Sequence, residues 1–104
     1  MGFFSKLFGT AEASFDVRAL MQKGAVIVDV RTPAEYNSGH IKGSLNIPLD
    51  QIGAKVSVLK SKNAPIITVC RSGNRSGVAA DILSKNGVEV YNGGAWDSLK
   101  TQLA

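Results

Sequence analysis

Two apolar, β-branched runs constrain this chain more than any other feature: Ala25-Val26-Ile27-Val28-Asp29-Val30 and Pro65-Ile66-Ile67-Thr68-Val69. A strand solvated on one face alternates apolar and polar residues, whereas a nearly continuous apolar run suits a strand covered on both faces. Each run is followed by a segment that reads as the start of a helix. After the first, Thr32 caps, Pro33 takes the first helical position and Glu35 reaches back as in a capping box, and Gly39 ends the turn. After the second comes the loop Cys70–Ser76, then the helix-like stretch Gly77–Leu83, which stops at Asn86-Gly87.

The same alternation continues elsewhere. Ser14 is a suitable cap for a helix running through Val17, Leu20 and Met21 to a stop at Gly24. Ser44–Ile47 reads as a short strand stopped by Pro48. Residues 50–60 carry Ile52, Val56 and Leu59 at helical spacing, with Gly53 and two valines as weak points. Val88–Tyr91 is a further short strand, Asn92-Gly93-Gly94 a turn, and Trp96 opens a last helix with Leu99 and Leu103. Strands separated by helices predict an α/β domain with a mainly parallel sheet between helical layers. In such sheets ligands bind outside the carboxyl ends of the strands, which is where Cys70 falls.

At 104 residues the chain has room for one core. Residues 12–104 are expected to form the domain, and residues 1–11 an amphipathic tail with Phe3, Phe4, Leu7 and Phe8 on one face. That face could meet a membrane or a partner; folding back onto the domain, or fraying, is the simpler expectation. No stretch approaches the ~20 apolar residues of a membrane span, and the tail is too short for a secretory signal. The expected compartment is the cytoplasm and the default state a monomer. The net charge of +4 suits small anionic partners. Its twelve basic residues are scattered from Lys6 to Lys100 without a dense run, which argues against nucleic acid.

Cys70 is the only cysteine, which excludes an internal disulfide, a multi-cysteine metal site and a resolving cysteine in the same chain. At a strand-to-helix junction, backbone amides favour negative charge. Arg71 and Arg75 add positive charge, and the loop holds no carboxylate. Both effects favour the thiolate, which is the nucleophile. A lone cysteine at the end of a core strand is usually just a small hydrophobe. Core packing, however, does not call for Arg71, Ser72, Gly73, Asn74, Arg75 and Ser76 in succession. A cradle of N–H groups around an anion does, and Gly73 lets the backbone curl inward. Cys70 therefore reads as an anion-binding, nucleophilic cysteine.

From about Ser14 onward the chain resembles a single-domain rhodanese, a persulfide-forming sulfurtransferase. The resemblance rests on Asp29-Val30-Arg31, Glu35-Tyr36, Gly39-His40-Ile41-Lys42-Gly43-Ser44, Asn46-Ile47-Pro48, the Cys70–Ser76 loop and Gly93-Gly94 before Trp96. It implies a rhodanese-type three-layer fold with a central, mainly parallel sheet of about five strands flanked by helices. It also implies that Cys70 takes a sulfane sulfur from a small anionic donor and passes it to a thiol or to cyanide, with no metal or other cofactor. Thiosulfate, a polysulfide, glutathione persulfide and a protein persulfide all remain open as donors, and a protein could equally be the acceptor. In that scheme the loop amides from Arg71 to Ser76 hold the persulfide, while Arg71 and Arg75 attract the donor's oxyanion end. The hydroxyls of Ser72 and Ser76 are available to hydrogen-bond sulfur or anion. Asp29, Arg31 and Trp96 are supporting residues: an internal ion pair or loop brace for the first two, a core or pocket wall for the third. His40 is expected to be a hydrogen-bonded structural residue. The rivals are a cysteine phosphatase and a non-catalytic binding module. With four residues between Cys70 and Arg75, the loop is shorter than a phosphatase cradle, and the retained cysteine argues against a silent module. Arsenate reduction or redox sensing would use the same thiolate.

Overall fold

Every residue from Ile66 to Cys70 is buried, because a run without a polar face is stable only between two apolar layers. The computed structural model describes residues 15–104; the phenylalanine-rich tail and Ser14 lie outside the described residues. In chain order the elements are α1 (Val17–Gln22), β1 (Val26–Asp29), α2 (Pro33–Asn37), β2 (Leu45–Asn46), α3 (Val56–Ser61), β3 (Ile66–Cys70), α4 (Asn74–Lys85), β4 (Val90–Ala95) and α5 (Trp96–Leu103). The strands form one sheet in the order β2-β1-β3-β4, with every pairing parallel. Parallel neighbours need crossovers, and the helices supply them.

Side-chain alternation along β3 divides the core. Ile66 and Cys70 point to one face, where they join Val28, Leu59 of α3 and Ala79, Ala80 and Leu83 of α4. Ile67 and Val69 point to the other, against Val17 and Leu20 of α1 and Leu99 of α5. Burying one such Ile or Leu stabilises by roughly 1.5–3 kcal/mol, so the two faces together hold the three layers. This is the α/β, three-layer arrangement expected. The sheet has four strands among the described residues, where the resemblance implied about five: each of the four apolar segments supplies one. No helix among these residues is long and apolar enough to cross a membrane.

Three local expectations change. The cap of α1 is Asp16, whose carboxylate accepts the N–H groups of Arg18 and Ala19. The stripe over residues 50–60 is not one helix but two 3-10 turns, Leu49–Gln51 and Gly53–Lys55, running into α3. None of these three pieces has a side-chain cap, yet Ile52 and Leu59 are still buried; tertiary packing holds what propensity does not.

The third change bears on the site. Asn92-Gly93-Gly94 is not a turn but part of β4. Thr68 pairs with Asn92 and Cys70 with Ala95, so β4 carries one extra residue, a β-bulge. A Cβ on Gly93 would lie 2.8 Å from Ile67 Cγ2 and 2.9 Å from the Thr68 carbonyl oxygen, so only glycine fits. Gly94 has a φ of +78°, which glycine alone adopts freely.

Candidate active site

Cys70 ends β3, and α4 begins four residues later at Asn74. The N-cap is Gly73, in the left-handed conformation at φ 104°, and no side-chain oxygen caps the helix. The sulfur takes that place. Cys70 Sγ accepts the N–H of Gly73 at 3.0 Å and that of Ser76, the third residue of the helix, at 3.3 Å. An N-cap oxygen ordinarily receives such first-turn amides. The sequence folds this way because Gly73 can adopt the reversed φ that turns the amides back onto the strand end.

The Ser76 hydroxyl completes the contacts on the sulfur at 3.3 Å. Burial pushes the Cys70 thiol up, but the Ser76 hydroxyl and the N–H groups of Ser76, Gly73 and Ser72 outweigh it, leaving the thiol below its ordinary value. The groups in contact with the sulfur are amides and a hydroxyl, and the Arg75 guanidinium interacts with Cys70 through charge. Cys70 is 1% exposed, so the sulfur lies on the α4 side of the sheet beneath the loop.

The two arginines of the loop part company. Arg75, expected to attract the donor's oxyanion end, is paired within the protein: its Nη1 and Nη2 donate to Glu35 Oε1 and Oε2 of α2 at 2.7 and 3.0 Å. Glu35 also accepts the Thr32 N–H and reciprocates the Thr32 cap of α2. The Arg75 guanidinium, followed by the Thr32 N–H, pulls the Glu35 carboxyl down to about 2. In return the hydrogen bond that Arg75 donates to Glu35 raises Arg75. Arg71 is exposed at the loop, as are Ser72 and Asn74.

The supporting residues form a second cluster. Arg31 and Asp29 are buried together, with Nη2 to Oδ2 at 2.8 Å and Nε to Oδ1 at 2.9 Å. Arg31 also donates to the Gly39 carbonyl at 2.7 Å, and its guanidinium lies 4.6 Å from the centre of the Trp96 ring. This cluster ties the end of β1 to the end of α2 and the start of α5. His40 Nδ1 lies 2.8 Å from the Tyr36 carbonyl oxygen, so that nitrogen carries the proton, and its ring stacks on Tyr36 at 3.7 Å.

Sequence reasoning missed Asn92. Its Oδ1 accepts the Ser76 hydroxyl at 2.7 Å and the Gly94 N–H at 3.0 Å, while Nδ2 donates to the Gly73 carbonyl at 3.1 Å. An asparagine before a glycine pair reads as turn chemistry; the bulge that aims it at the loop depends on β3.

A family model described as a rhodanese-like domain matches residues 15–97. YqhL of Bacillus subtilis, an uncharacterized protein, is 42% identical over 69 residues, 65% of this chain and 54% of its own length. PspE of Escherichia coli, named a thiosulfate sulfurtransferase, is 36% identical over 69 residues, 64% of this chain and 66% of its own length. The chain thus spans about half to two thirds of the length of these relatives. The solved structure of a rhodanese with anions from E. coli superimposes with a TM-score of 0.64 at 33% identity, covering 70% of this chain and 88% of that one. The family match runs from before α1 into α5 and takes in both strand-to-helix junctions. It is a property of the whole described fold rather than of one motif, and the chain belongs to the rhodanese-like domain family.

Proposed function

We propose that this protein is a sulfurtransferase that carries a sulfane sulfur on Cys70. The observation that carries the reading is the sulfur in the capping place of α4, where the N–H groups of Gly73 and Ser76 converge on it. Those groups favour an anion on the sulfur and so act as a preorganised anion hole. With thiosulfate as donor, the Cys70 thiolate attacks the outer sulfur. A new S–S bond forms, the original one breaks, and sulfite leaves with the electron pair. The terminal sulfur of the Cys70 persulfide then carries the negative charge. Cyanide or a thiolate attacks that sulfur, takes it away and restores the Cys70 thiolate, so ping-pong kinetics are expected. With a single cysteine in the chain, the acceptor must come from outside. Arg71, exposed in the loop while Arg75 is paired with Glu35, is the loop cation we assign to an anionic donor. The names of the relatives support sulfur transfer as the reaction class and leave the donor open.

The experiment is intact-mass measurement of the reduced protein after thiosulfate, then after cyanide with thiocyanate assayed, with Cys70→Ser in parallel. A gain of one sulfur atom that cyanide removes as thiocyanate, absent in the variant, is the expected result. A gain only with polysulfide or glutathione persulfide keeps the mechanism and changes the donor. No gain with any donor sinks the proposal.

A further inference from the structure

The fully buried Ser76 hydroxyl stands between two acceptors, Asn92 Oδ1 at 2.7 Å and Cys70 Sγ at 3.3 Å. A hydroxyl has one proton to donate, so it cannot serve both at once. The Asn92 amide has only one workable orientation. Flipping it would set its oxygen against the Gly73 carbonyl and its NH2 against the Gly94 N–H, two contacts between like groups. A Cβ on Gly77 would come within 3.2 Å of Asn92 Nδ2, so α4 packs closely over the amide. Oδ1 therefore remains a pure acceptor at the shorter distance. With Cys70 protonated, the Ser76 proton goes to Asn92 and the hydroxyl oxygen accepts the S–H. When Cys70 gives its proton to solvent, the sulfur anion becomes the stronger acceptor. The hydroxyl then rotates toward the sulfur, leaving Oδ1 with the Gly94 N–H.

We propose that Asn92 is a positioning residue that holds the Ser76 hydroxyl proton away from the uncharged sulfur and releases it when the Cys70 sulfur becomes the thiolate. The inference deepens the reading of Cys70 as the reacting sulfur and rests on it. Its chemical sense is moderation: a thiolate loses nucleophilicity as it becomes more stable, so the best attacking thiol titrates near the ambient pH. The amides alone would stabilise the anion in every state. Asn92 makes the hydroxyl's share conditional, because that hydrogen bond must be withdrawn from Oδ1 first. The charged groups on the elements around the sulfur are Arg71 in the loop, Arg75 of α4 with Glu35 of α2, Asp29 of β1 with Arg31, the exposed pair Asp81 and Lys85 of α4, and the exposed Lys60 of α3. β4 carries no charged side chain. Each of these carboxylates is paired with a cation, so an uncharged substitution at position 92 leaves that balance as it is.

The test is the pH dependence of alkylation of the intact protein by iodoacetamide, which reports Cys70 alone because it is the only cysteine. Asn92→Leu keeps the branched shape in a somewhat larger side chain, removes the acceptor and leaves little room for water. Its midpoint should fall by about 0.5–1 pH unit, the scale of one hydrogen bond gained by the anion. Asn92→Asp retains an acceptor and adds charge, and its midpoint should rise. Ser76→Ala should also raise the midpoint, and adding Asn92→Leu to it should produce no further movement. Should Asn92→Leu not melt cooperatively, Asn92→Ala carries the same downward expectation. An unchanged or raised midpoint in the acceptor-free variant overturns the inference, and so does an undiminished shift in the Ser76→Ala background. Alkylation needs no sulfur donor. Predicted shifts without sulfur transfer would therefore sink the proposed function and leave the Ser76–Asn92 pairing intact.

Discussion

The junctions that follow β1 and β3 start from the same geometry and end in different chemistry. Both leave the carboxyl ends of neighbouring parallel strands and both enter a helix within a few residues. After β1, Thr32 Oγ1 accepts the N–H of Glu35, the third residue of α2, and Glu35 returns the favour to the Thr32 N–H. After β3, Gly73 has no side chain to offer, and the N–H of Ser76, again the third helical residue, goes to the Cys70 sulfur. Each junction satisfies the amide of its third helical residue. Where the acceptor is a hydroxyl oxygen, the result is stability alone. Where it is a sulfur, the same hydrogen bonds favour the thiolate, and a structural requirement becomes a chemical bias. Arg75 and Glu35 join the two junctions directly, so the stable one helps to position the reactive one.

The comparison breaks most completely at the sulfur itself. Cys70→Ser and Cys70→Ala should both reduce thiocyanate formation to background in the cyanide assay. The serine oxygen can still cap α4, whereas alanine cannot. The alanine variant should therefore be less stable than the serine variant by about 1 kcal/mol in urea denaturation. Equal stabilities would mean that the sulfur is not acting as a cap.

Next in size is the buried pair beside the first junction. Arg31→Met leaves the Asp29 carboxyl group unpartnered in the core, which costs about 3–5 kcal/mol where a buried pair is broken from one side. Equilibrium denaturation should show that loss; a change below about 1 kcal/mol, the range of exposed pairs, would contradict the burial of this cluster.

Thr32→Ala should cost about 1 kcal/mol, the usual loss of a helix cap, while the alkylation midpoint of Cys70 stays in place. A shift of that midpoint would show that the two junctions are coupled through Glu35 more strongly than their geometry indicates.

The smallest effect comes from pH. Glu35 titrates at about 2 in the fold against an ordinary 4.5. A depressed carboxyl stabilises the fold above its unfolded value, and that contribution disappears as pH falls through the folded value. The stability gap between the native protein and Glu35→Gln should accordingly be full at pH 5 and close as the pH drops toward about 2. A gap independent of pH over that window would mean that Arg75 does not depend on the charge of Glu35.

Much of this is legible along the chain because it is local. Thr32, Pro33 and Glu35 lie within four residues of one another, and a capping box needs nothing further away. The runs at residues 26–29 and 66–70 become buried strands because no polar face competes. What the chain order concealed is set across the sheet. Arg75 and Glu35 are forty positions apart, and a loop cation reads as free for substrate until its carboxylate is placed. Asn92-Gly93-Gly94 carries turn residues, yet it is held as strand by pairing with β3, and its glycines answer to Ile67 and Thr68 rather than to a turn. The stripe at residues 52–59 has helical spacing, but Gly53 and the missing caps let packing impose 3-10 turns instead.

The amino-acid sequence by itself determined the alternation of elements, the position of a lone cysteine at a strand's carboxyl end and the glycine that lets the following helix turn its amides back. Those depend on periodicity, backbone freedom and neighbours within a few residues. Only the tertiary structure decided which guanidinium is committed, that the sulfur takes the place of a helix cap, and that an asparagine on the next strand competes for the one proton of Ser76. Those depend on distances between groups far apart in the chain, and hydrogen bonds and ion pairs act only over the few ångströms that folding brings about.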